Sequence, residues 1–136
     1  MPARIFVNMH AKDLAKRQVF FEKPGYQFKP QFTDENTACL VISDTIFCML
    51  LTTGQMERSV PKGKTIADAT KTTETLLALS TDSKDAVNAL FDKAIAAGGT
   101  EAHPTEDHGF MYGRSFNDLD GHILVVFWFD PNALQS

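Results

Sequence analysis

One order of elements, strand, helix and then three strands, occurs twice along the 136 residues, and no other feature restricts the fold as tightly. In the first copy, Arg4 to His10 alternates, with Ile5, Val7 and Met9 on one face and Phe6, Asn8 and His10 on the other. Asp13 is a good N-cap for the helical run Leu14 to Phe21, and Pro24-Gly25 ends that run. Strands are then expected over about Tyr26 to Phe32, Thr37 to Ser43 and Ile46 to Thr52, with turn-rich pieces between them.

The polar stretch Thr53 to Thr72 is longer than most loops inside a domain, so it reads as a connector or a lid, with Met56, Ile66 and Ala67 able to pack. The second copy follows. Glu74 to Ser80 reads as a strand, and Asp82 aligns with Asp13 as the cap of a helix about one turn longer. Its apolar stripe is Ala86, Val87, Leu90, Phe91, Ala94 and Ile95, ended by Gly98-Gly99. Three strands are expected over about Thr100 to His103, Phe110 to Phe116 and His122 to Phe129, with turns at Pro104 to Gly109 and Asn117 to Gly121. The duplication therefore lies in element order rather than in identical residues. A chain of this length supports one sizeable core, so the expectation is a single α+β domain over residues 1–136. Module one covers about 1–53, the connector about 53–72 and module two about 73–130.

Composition removes several function classes. Acidic and basic residues are interspersed at a net charge of −4, which offers no stripe for nucleic acid. The longest apolar stretch, His122 to Phe129, is far short of the roughly 20 residues that cross a bilayer. Met1-Pro2-Ala3-Arg4-Ile5 shows no secretory signal, and the two cysteines fit a reducing compartment, so a cytoplasmic location is expected. If Ser43-Asp44 is a two-residue hairpin turn, Cys39 falls opposite Cys48, although nothing else points to a disulfide. Both cysteines have apolar neighbours and no adjacent base, which argues against a catalytic thiol.

Three pieces, Phe6 to Leu14, Ala94 to Gly99 and above all Asp118-Leu119-Asp120-Gly121-His122, resemble the glyoxalase/bleomycin resistance/dioxygenase group, the vicinal-oxygen-chelate superfamily. The resemblance implies two βαβββ modules forming an open, eight-stranded, barrel-like sheet. It also implies metal-ligand places at Phe6, Thr75 and Val125, with a further place among Met49, Leu50 and Leu51. Phe, Val and Leu have no lone pair, a Thr hydroxyl is a poor ligand alone, and a Met thioether prefers soft metals. A one-residue slip would offer Ile5 or Val7, Glu74 or Leu76, and Leu124 or Val126, which rescues at most one ligand. No metal and no cofactor is expected.

Strand alternation and the resemblance together give a ligand-facing set of Phe6, Asn8, Thr75, Leu77, Met111, Gly113, Ser115, Val125 and Phe127. Such a lining suits a flat or partly apolar molecule, oriented by Asn8, Thr75 and Ser115. His103, Glu106, Asp107 and His108 read as a solvated loop, His122 as structural at its turn, His10 as closing the first strand, and Arg114 as a surface or interface residue. The leading expectation is a metal-independent small-molecule-binding protein, comparable to drug-sequestering members of the superfamily, and Phe6, Thr75 and Val125 at the usual metal-ligand places lean against an enzyme while leaving that question open. A metal-dependent lyase, transferase or dioxygenase is the alternative, and a non-enzymatic interaction protein is the third reading. The resemblance also implies a homodimer, with the last strand and Trp128 as its surface.

Overall fold

Alternation over Ile5–His10 yields the first strand, β1, in a computed structural model that describes residues 3–134. Met1, Pro2, Gln135 and Ser136, which the expected domain includes, lie outside the described residues. The chain divides into two units between Asp68 and Ala69.

In the first unit, Asp13 stays extended and accepts the Lys16 N–H at 3.1 Å, which starts α1 (Leu14–Glu22) as expected. Strands β2 (Gln27–Phe28), β3 (Thr37–Val41) and β4 (Ile46–Leu51) complete a sheet of order β1-β4-β3-β2. Strands β1 and β4 are parallel, with Phe6 opposite Phe47 and Asn8 opposite Met49. Helix α1 buries Leu14, Phe20 and Phe21, and each such side chain contributes about 1.5–3 kcal/mol by leaving water. Arg17 is fully buried among them, donating to the His10 carbonyl at 3.1 Å and lying over the Phe21 ring.

Three expectations need correction here. The strand expected over Tyr26 to Phe32 shrinks to Gln27–Phe28, because Pro30 lacks a donor and opens a 3-10 turn over Pro30–Phe32. The hairpin between β3 and β4 closes through three residues, since Ile42 and Ser43 both donate to the Ile46 carbonyl. Cys39 therefore faces Met49 and Cys48 faces Leu40, and the two are not joined in a disulfide. The start of the expected connector is a helix, α2 (Thr53–Ser59), which Thr52 caps by accepting the Gln55 N–H.

In the second unit, β5 (Leu76–Ser80) is followed by α3 (Lys84–Ala96), β6 (Thr100–Asp107), β7 (Met111–Asn117) and β8 (Ile123–Phe129). The sheet order β5-β8-β7-β6, with β5 and β8 parallel, repeats the first unit's plan. The eight strands are thus held in two open four-stranded mixed sheets. Val87, Phe91 and Ala94 of α3 bury beside Phe116, Leu124 and Val126, so the helix covers one sheet face. Its cap is Ser83, which accepts the Ala86 N–H at 3.0 Å, and not Asp82. Gly98 ends it at a φ of 114°, a conformation that favours glycine.

Strand β6 also outruns its expected end at His103. Pro104 is tolerated inside it because β6 is the sheet edge, where a missing N–H breaks no ladder. Between β7 and β8, buried Asp118 accepts the N–H groups of Asp120 and His122 at 2.9 and 3.0 Å. Gly121 completes that turn at a φ of 90°, where a Cβ would sit 2.9 Å from the Ala69 backbone. Only glycine fits there.

Candidate functional site

The face of the second sheet turned away from α3 forms a cavity of about 570 Å³. Its floor is set by strand alternation and register. Leu76 and Ala78 of β5 pair with Ile123 and Val125 of β8, and Phe127 and Val125 pair with Gly113 and Ser115 of β7. These residues and Met111 line the cavity, and Gly113, lacking a side chain, keeps the floor low between larger neighbours. On the opposite face, Arg114 lies 3.7 Å above the Phe91 ring and donates to Asn88, which also accepts from Tyr112.

The rim comes from β6. His103 is the register partner of Ser115 and Glu106 of Gly113, with irregularities on either side of His103. A separation of three residues would send these side chains to opposite faces of a regular strand, and the irregularity restores them to one face. Ala102 and Pro104 complete that side of the cavity. The reading of residues 103–106 as a solvated loop is therefore corrected.

Five of the residues expected from sequence, Met111, Gly113, Ser115, Val125 and Phe127, stand together in this cavity. Thr75 precedes β5 and is exposed, and Leu77 pairs with buried Leu124 on the α3 side. Leu76 and Ala78 hold the places assigned to them. The cause is the cap: with Ser83 in place of Asp82, the count back to the strand shifts by one residue. Phe6 and Asn8 belong to the first unit's sheet, where they line a more open depression with Phe32, Thr37 and Met49. There Phe6 stacks on Phe47 at 4.7 Å, and Asn8 donates to the Phe6 carbonyl. His10 ends β1 with its ring 2.7 Å from the Thr53 hydroxyl.

No known family profile and no curated protein matches the chain. Solved structures do. A hypothetical protein from S. aureus superposes with a TM-score of 0.76 at 23% identity, covering 94% of this chain and 95% of its own. A glyoxalase/bleomycin resistance protein/dioxygenase family enzyme from Burkholderia phytofirmans gives 0.70 at 18% identity, covering 91% and 96%. A fosfomycin resistance protein from Mesorhizobium loti gives 0.70 at 12% identity, covering 100% and 99%. The fold is that of the glyoxalase/bleomycin resistance/dioxygenase proteins.

Metal chemistry, which the vicinal-oxygen-chelate fold implies, does not fit the side chains present. With the corrected cap, the places are Phe6, Leu76 and Val125, and Met49 faces Asn8 across β1 and β4. Taken unit by unit, Phe6 and Met49 in the first and Leu76 and Val125 in the second offer only hydrocarbon and one soft thioether, so neither set gives a hard divalent ion a donor. His103 and His108 flank Glu106 at 3.8 and 3.6 Å, yet among the described residues no group of three His, Cys, Asp or Glu is arranged to hold a metal ion. The thiol of Cys39 is pushed up by burial, partly offset by Lys29, and is thereby a weaker nucleophile. Burial likewise raises Tyr26, with Cys48 adding to the effect. No helix among the described residues is long and apolar enough to cross a membrane.

Proposed function

We propose that this chain is a metal-independent small-molecule-binding protein whose ligand lies on the second unit's sheet, and that it sequesters that ligand rather than transforming it. One observation carries the reading: a cavity of about 570 Å³ floored by Leu76, Ala78, Met111, Ile123, Val125 and Phe127. Its volume lies in the range that encloses a drug-sized molecule, and its floor rewards apolar area rather than coordination. The site residues are Met111, Ser115, Val125 and Phe127, joined by Leu76, Ala78, His103 and Glu106. Resistance in the Mesorhizobium loti neighbour is consistent with a fold that can act on toxic compounds.

The same proposal treats the two units as one functional domain acting in the cytoplasm, where the buried Cys39 and Cys48, not joined in a disulfide, stay reduced. It includes a homodimer, supported by exposed apolar side chains on each unit, Ile5 and Val19 on the first and Phe110 on the second. Trp128 is not part of that surface, because it is half-buried under Lys84 in an interior strand. Elemental analysis of protein purified without chelator tests the metal-free reading: we expect well under one equivalent of any divalent ion. One tightly bound equivalent would overturn it. Sedimentation showing a monomer at micromolar concentration would remove the dimer.

A further inference from the structure

Resting on that reading of the second unit, we infer that the ligand carries a cationic hydrogen-bond donor, such as a primary ammonium, on an apolar body, and that Glu106 and His103 hold this head. The cavity is chemically lopsided. Its floor is hydrocarbon and thioether but for the Ser115 hydroxyl, and of its three ionisable lining residues Arg114 turns its guanidinium to α3, which leaves His103 and Glu106 together on the β6 rim. The irregular register of β6 is what brings both to that face, each above a β7 residue that lines the floor.

Glu106 is about half exposed, and among the described residues its ion pairs are with histidines, at 3.8 Å to His103 and 3.6 Å to His108. The guanidinium of Arg114, the other charged residue lining the cavity, is engaged by Phe91, Asn88 and Asp92 on α3. When the histidines are neutral, Glu106 is therefore a carboxylate without a cationic partner, at the edge of an apolar surface. His103 adds a second acceptor. Its Nδ1 lies 3.0 Å from the Pro104 carbonyl, which can only accept, so the ring proton sits on Nδ1 and Nε2 keeps its lone pair. An anionic ligand would meet a like charge at this rim, and a neutral one would forgo a charge-assisted bond. A cationic donor matches both acceptors.

Three isosteric probes separate the possibilities: 1-naphthylmethylamine, 1-naphthalenemethanol and 1-naphthoate, titrated calorimetrically at low salt with EDTA present. The amine is expected to bind about tenfold more tightly than the alcohol, and the carboxylate most weakly. Glu106→Gln should bring the amine to within about threefold of the alcohol when both are measured on that variant. Equal binding of amine and alcohol, tighter binding of the carboxylate, or an amine preference that survives Glu106→Gln would each overturn the charge assignment. In those cases the alcohol's binding leaves the small-molecule reading standing. Failure of all three probes to bind would overturn both.

Discussion

The two units share one plan of elements and differ in what their open sheet faces carry. In the first, Phe6 stacks on Phe47 and Asn8 bonds to its own strand, so the β1–β4 seam carries two rings packed on each other beside an open depression. In the second, the corresponding seam carries Leu76 on Ile123 and Ala78 on Val125, and Gly113 lies beside them. The same register that stacks two rings beside an open depression on one face leaves the other with short or branched side chains and a more enclosed cavity. Duplication of a βαβββ module thus fixes where a face is, while side-chain volume decides whether it packs or binds.

Matched substitutions sharpen this contrast, and the largest effect should come from the seam itself. Phe47→Ala removes a buried ring and is expected to cost about 3–4 kcal/mol in urea unfolding, whereas Ile123→Ala, half-exposed at the cavity, should cost about 1–2 kcal/mol. Equal losses would break the distinction between a packed and a binding face. The hairpin turns differ in the same direction. Asp118→Ala leaves two backbone N–H groups without their acceptor in a buried turn and should cost about 2–3 kcal/mol, while Asp44→Ala, in the exposed three-residue turn, should stay within about 0.5 kcal/mol.

Binding should respond to the second face alone. Gly113→Leu places a side chain on the cavity floor, where a Cβ already meets Phe127 at 3.5 Å, and is expected to weaken naphthalene probes at least about tenfold. Phe32→Ala, on the first unit's depression, should change that affinity less than about twofold. The smallest effect concerns pH and belongs to the first unit. Burial raises the Cys39 thiol, so the unfolded chain loses this proton first, and stability contributed by the neutral thiol falls as pH rises above about 9. Cys39→Ser should flatten that decline by a few tenths of a kcal/mol in urea titrations between pH 8 and pH 10, numbers set by the ordinary thiol range.

Much of the fold was legible because strand alternation, helix caps and glycine stops all point the same way along the chain. The site was less so, for small local reasons. Asp82 and Ser83 are both good caps, and choosing between them moves every β5 residue to the other face, which is how Thr75 and Leu77 stood in for Leu76 and Ala78. Pro104 reads as a strand breaker unless β6 is known to be an edge, a fact of topology that local sequence does not carry. Glu106 and His103 were hidden behind that error. The one-residue register error at Cys39 has the same origin, a hairpin one residue longer than the shortest turn.

The central claim is that the second unit's face binds an apolar small molecule without a metal. Calorimetric titration of 1-naphthylmethylamine into the intact chain in EDTA tests it most directly, run beside Gly113→Leu. The account predicts saturable binding of one probe per chain, lost in the variant and unaffected by the chelator. Binding that appears only when a divalent ion is restored, or that Gly113→Leu leaves intact, would contradict it.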